Sequence, residues 1–107
     1  MGEQLSKRFQ KRGLADYLKS LRKALKSAQA GFWRDIRAAE QAFHKEMAAA
    51  MREYEKAEYS NRRVPGALAE AAKSLNDRYE AAYRSFGNAT KEALERFEKK
   101  IEDLMGV

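Results

Sequence analysis

From Leu14 onward the apolar positions form one unbroken series: Leu14, Tyr17, Leu21, Leu25, Ala28, Phe32, Ile36, Ala39, Phe43, Met47, Ala50 and Tyr54. Its eleven steps span 40 residues, an average near 3.6 and hence the period of an α-helix. Gly31 lies inside the series without disturbing its phase. It is therefore read as a helical glycine, at a cost of about 1 kcal/mol relative to alanine. A second series follows: Leu68, Ala72, Leu75, Tyr79, Ala82, Phe86, Thr90, Ala93, Phe97, Ile101 and Leu104. Its ten steps span 36 residues at the same average, and phase continuity argues against a loop at Gly87 and Asn88.

Between the two series stands SNRRVPGAL, residues 60–68. Ser60 and Asn61 form helix poorly, and Pro65 disfavours helical geometry at Val64. The pattern predicts helices over about 14–59 and 67–105 joined by a turn over 60–66. The expected fold is all-α, a long antiparallel helical hairpin in a single domain over 1–107 that opens with an arm over 1–13. A period of 3.6 rather than 3.5 favours nearly straight packing over a strict left-handed coiled coil. Two helices cover only part of each other's apolar stripe, so self-association into a larger bundle or assembly is expected.

A second line runs beside the large apolar one. Gly13, Ser20, Ala24, Gly31, Ala38, Ala42 and Ala49 are separated by 7, 4, 7, 7, 4 and 7 residues, which are whole helical turns. Small side chains in a row admit another helix backbone closely. Gly13, Ala24, Gly31, Ala38, Ala42 and Ala49 are accordingly the candidates for close helix packing.

Charge changes the picture further. The net charge of +6 is concentrated in the first third. Residues 1–37 carry ten basic groups against three acidic ones. The basic groups are Lys7, Arg8, Lys11, Arg12, Lys19, Arg22, Lys23, Lys26, Arg34 and Arg37. Residues 38–66 balance to zero, and residues 67–107 to −1. Such asymmetry is the form expected of an arm that meets a polyanion; on charge alone it equally fits a solvated helix face rich in lysine. Lys7-Arg8 and Lys11-Arg12 repeat after four residues, so in a helix they share a face and can follow a phosphate backbone. Basic groups near a helix N-terminus also oppose the macrodipole, which points to a ligand that compensates them.

Trp33, the single tryptophan, falls off the apolar stripe and toward Lys19, Arg22, Lys26 and Arg37. An indole there suits stacking on a base, a lipid headgroup boundary or a partner pocket. Of these, a subunit contact fits a self-associating helical protein best.

Enzymatic chemistry finds little footing. There is no cysteine, which excludes disulfides, thiolate metal sites and cysteine nucleophiles. His44 is the single histidine, and with Glu40 one turn away it cannot supply the paired ligand elements of a di-iron helix site. No glycine-rich phosphate loop or serine elbow is present. Carboxylates such as Glu92 and Glu95 sit four residues from Arg96 and Lys99, the pattern of a solvated, ion-paired face. No catalytic residue, metal, cofactor or small-molecule substrate is expected.

No run approaches the roughly 20 apolar residues of a membrane span, and the N-terminus lacks a signal-peptide core. A cytoplasmic location, or one within an assembled particle, is expected. The spacing of Gly2 and Ser6 matches a myristoylation signal, but Glu3 is unfavourable next to the glycine. Asn88-Ala89-Thr90 matches a glycosylation sequon, which has no consequence without export. The functional expectation is a non-enzymatic, self-assembling structural protein whose basic third binds nucleic acid through phosphates, in the manner of a nucleoid or nucleocapsid protein. Two alternatives accompany it: peripheral attachment to anionic membranes, and a protein-only assembly, adaptor or scaffolding part.

Overall fold

A computed structural model describes residues 2–106, with side chains from Gly13 to Gly106. Two helices make the chain an all-α helical hairpin: α1, Gly2–Ser60, and α2, Pro65–Met105. Among the described residues there is no strand. Gly31 and Gly87 both lie inside helices, as the unbroken apolar phase predicts.

The connection is shorter than the sequence suggests, because Pro65 belongs to α2 rather than to the turn. Proline is suited to the first helical position, where its missing N–H has no helical partner to lose. The Asn61 backbone N–H and side-chain Nδ2 both donate to the Ala57 carbonyl, at 2.9 and 3.0 Å, and close the end of α1. Val64 opens α2, its carbonyl accepting from the N–H groups of Ala67 and Leu68. At the far end α2 stops at Gly106, whose φ of 73° is a left-handed geometry that glycine adopts without steric cost.

The hairpin packs as two compact units, Met1–Trp33 with Leu94–Val107, and Arg34–Ala93. In the first, the rings of Phe32 and Phe97 meet at 5.3 Å and Ala28 is buried. In the second, Phe43 packs on Phe86 at 5.4 Å and on Tyr83 at 4.8 Å, with Ala39, Ala50, Ala82 and Ala93 buried. These positions recur every eleven residues. Phe32, Phe43 and Tyr54 on α1 have counterparts in Leu75, Phe86 and Phe97 on α2. Ala28, Ala39 and Ala50 repeat at the same interval, as do Ala82 and Ala93. Eleven residues in three turns is about 3.67 per turn, wider than the heptad's 3.5. Rings thus meet at one level, and alanines let the backbones close in at the next.

The core is thin. Every buried hydrophobic residue is an alanine, and no large side chain is fully enclosed among the described residues. The start of the apolar series departs from its expected role. Leu14 and Tyr17 of the series, and Leu18 beside them, are exposed.

Candidate functional site

The first unit gathers part of the expected basic face. Lys19, Arg22, Lys23 and Lys26 line one shallow concavity on α1 together with Ala15 and Leu18. Their spacing of three, one and three residues places them within two turns and on one side of the helix. All four are exposed. Among the described residues no carboxylate pairs with any of them. The concavity therefore offers four uncompensated cations to solvent, with an apolar rim at Leu18. An anion bound there would meet no competing carboxylate in the lining.

Trp33 belongs to the same unit and is 56% exposed. It follows Lys26 by two helical turns, so it shares that cation's side of α1. Its ring stands edge-on to Phe32 at 5.3 Å with an interplanar angle of 65°. Phe32 is in turn held by Phe97. The indole is braced along one edge and open on the remainder, a geometry that suits a flat ligand or a partner side chain.

The other expected residues are distributed differently. Arg34 and Arg37 are exposed but belong to the second unit. Lys7, Arg8, Lys11 and Arg12, with the arm expected over 1–13, lie outside the residues whose side chains are described. On the small-residue line, Gly13 has nothing within 4 Å of where a Cβ would stand. At Gly31 the nearest atom to such a Cβ is Lys100 Nζ, at 3.4 Å. Ala24 lines a shallow pocket with Lys100, Asp103 and Leu104. Ala38, Ala42 and Ala49 fall in the second unit, where Ala42 lines a groove between the helices. His44 is exposed, its ring edge-on to Phe43 at 5.8 Å. Among the described residues no group of three His, Cys, Asp or Glu side chains is placed to hold a metal ion.

Two features escape a reading of the apolar series alone. Arg78 of α2 reaches across to α1, Nη1 donating to Glu53 Oε2 at 2.5 Å and Nη2 lying 3.7 Å from Glu46 Oε2. In addition, α2 carries its own line of small residues, Ala67, Ala71, Ser74, Ala81, Ser85 and Ala89. Its steps are helical, and Arg78 occupies the one place where the line is broken. That interruption was the available sign in the sequence: a long cation among alanines and serines at a seam position.

No protein-family model matches the sequence, and no curated protein and no solved structure matches it either. No helix of the described residues is long and apolar enough to cross a membrane.

Proposed function

We propose that the protein is a non-enzymatic, self-assembling helical structural protein that holds nucleic acid through phosphate contacts from its basic first third. The observation that carries this reading is the concavity of Lys19, Arg22, Lys23 and Lys26, four exposed cations without carboxylate partners among the described residues. Like charges this close repel one another in the free protein, and polyanion binding relieves the repulsion while releasing counterions. Nothing in the lining resembles a base-reading set, so contacts are phosphate-directed and tolerant of sequence. Trp33, braced on Phe32 and open to solvent, adds a stacking surface for unpaired bases.

Titrating the full chain with single-stranded and duplex DNA while following Trp33 emission tests the reading. Neutralising four phosphates gives a log–log salt slope of about −3 for single strands and steeper for duplex. Reversing the four charges together (Lys19→Glu, Arg22→Glu, Lys23→Glu, Lys26→Glu) should weaken binding more than tenfold and flatten that slope. Unchanged affinity and slope in this variant would refute the assignment.

A second reading has its own observation. Leu14, Tyr17 and Leu18 are exposed on the same stretch of α1 as the basic concavity, the pairing of apolar and cationic groups that an anionic lipid surface favours. Binding confined to anionic vesicles, with a blue shift of Trp33 emission and no response to DNA, would move the assignment there. Response to neither leaves protein-only assembly.

A further inference from the structure

The neutral balance of residues 38–66 conceals a separation by side. On α1 each member of the aromatic repeat Phe32, Phe43 and Tyr54 is followed two residues later by a cation: Arg34, Lys45 and Lys56. Two residues are a rotation of about 200°. The eleven-residue repeat that turns Phe43 onto Phe86 therefore also sets a line of cations on the opposite side of the helix. Successive members of the line stand about 16 Å apart, and Arg52, one turn before Lys56, falls on it as well. All four cations belong to the second unit and all are exposed.

The carboxylates of the same stretch face other ways. Glu46 and Glu53 are turned toward α2, where both meet Arg78. Glu40 lies three residues from Phe43 and Glu58 four from Tyr54, hence toward the seam. Glu55, three residues after Arg52, borders the line. No carboxylate stands four residues from any of the four cations, and among the described residues no ion pair holds them. The cations of α2 are placed differently. Lys73, Arg84 and Lys91 each have a carboxylate four residues away, in Asp77, Glu80 and Glu95.

From this arrangement we infer that the outer side of α1 in the second unit is a second phosphate-binding face for nucleic acid, carried by Arg34, Lys45, Arg52 and Lys56. The inference rests on the nucleic-acid reading proposed above. It adds Lys45, Arg52 and Lys56, which come from a stretch of zero net charge, to the residues that meet phosphate. Charge complementarity selects a polyanion, and the residues between the cations select its class. Ala38, Gln41, Ala48 and Ala49 offer no large apolar group for insertion into lipid. Past Lys56 the Tyr59 ring is 73% exposed, with the Arg62 guanidinium 4.8 Å from its centroid. An exposed ring beside cations suits an unpaired base, so a single strand is the better fit.

The test titrates the full-length chain with a single-stranded oligonucleotide over a range of salt. Neutralising the added cations (Lys45→Gln, Arg52→Gln, Lys56→Gln) should weaken binding about tenfold or more at low salt and flatten the log–log salt slope by about 2, three phosphates at about 0.7 each. The comparison variant (Lys73→Gln, Arg84→Gln, Lys91→Gln) removes the same charge from α2 and should keep the original slope. Equal losses in the two variants assign the effect to net charge and overturn the proposal, as does an unchanged slope in the first. The charge reversal of the concavity is measured in parallel. Binding lost there but intact in the α1 variant removes this face alone, and an unsubstituted chain that binds no nucleic acid removes both. Binding to anionic vesicles only, lost in the α1 variant, gives the face to lipid and overturns the proposal too. The unsubstituted protein supplies an independent arm that needs no variant to fold. Bound oligonucleotide should slow acetylation of Lys45 and Lys56, read by mass spectrometry, while Lys73 and Lys91 keep their free rates. Equal protection of all four lysines, or none at Lys45 and Lys56, overturns the proposal.

Discussion

Ala93 is 1% exposed, the most enclosed side chain among the described residues, and little room is left around its methyl group. Ala93→Leu would drive three more carbons into that contact, so a loss of about 1–3 kcal/mol is expected, measured by urea denaturation. Gly31 predicts the opposite sign. An added methyl there meets only the mobile end of Lys100, and alanine is the better helix former. Gly31→Ala should therefore raise stability by about 0.5–1 kcal/mol, read as a higher melting temperature. If the small line of α1 also packs on a second copy, the same variant would weaken oligomers while strengthening the single chain. Helical Gly31 was legible in the sequence because the apolar phase runs through it unshifted. The burial of alanines rather than phenylalanines was not. Hydropathy marks which face turns inward, whereas enclosure depends on backbone separation, which the pattern does not encode.

At the scale of the element, the lengths of the two helices matter most. The pattern located both helices and the turn between them, since periodicity and Pro65 are local signals. It did not show which members of the apolar series of α1 are enclosed, because enclosure depends on contacts between residues far apart in the chain. Leu14 and Tyr17 are thus exposed despite continuing the series that holds Phe32 and Phe43. Basic positions were legible as a charge excess, but their grouping into one concavity without carboxylate partners needed the structure. The bridge from Arg78 to Glu46 and Glu53 was hidden for a similar reason. Sequence rules find charge pairs three or four residues apart, and this one joins different helices. Both carboxylates are well exposed, so Arg78→Ala should cost no more than about 1 kcal/mol. A double-mutant cycle with Glu53→Gln, repeated at high salt, should show the coupling shrink.

Taken whole, a hairpin whose buried residues, among those described, are all alanines has little of its own core to rely on. If copies cover one another, unfolding is linked to association, and the melting temperature should climb as protein concentration is raised. A melting temperature constant over a hundredfold concentration range would argue for a self-sufficient monomer. The eleven-residue repeat carries a quieter hazard. Two rulers with the same graduations can be read against each other at more than one setting. Sliding α2 by eleven residues, about 16 Å, would again place apolar side chains opposite one another, Phe86 now at the level of Phe32 and Leu75 at that of Phe43. What forbids the second setting is the turn from Asn61 to Val64, too short to pay out that length, assisted by the clasp at Arg78. Cutting the chain at a specific protease site inserted between Arg62 and Arg63 should release the lock. Cross-links between α1 and α2 would then appear in two sets displaced by eleven residues, where the uncut chain gives one. The short turn is thus the zero mark of a scale that the helices alone leave unnumbered.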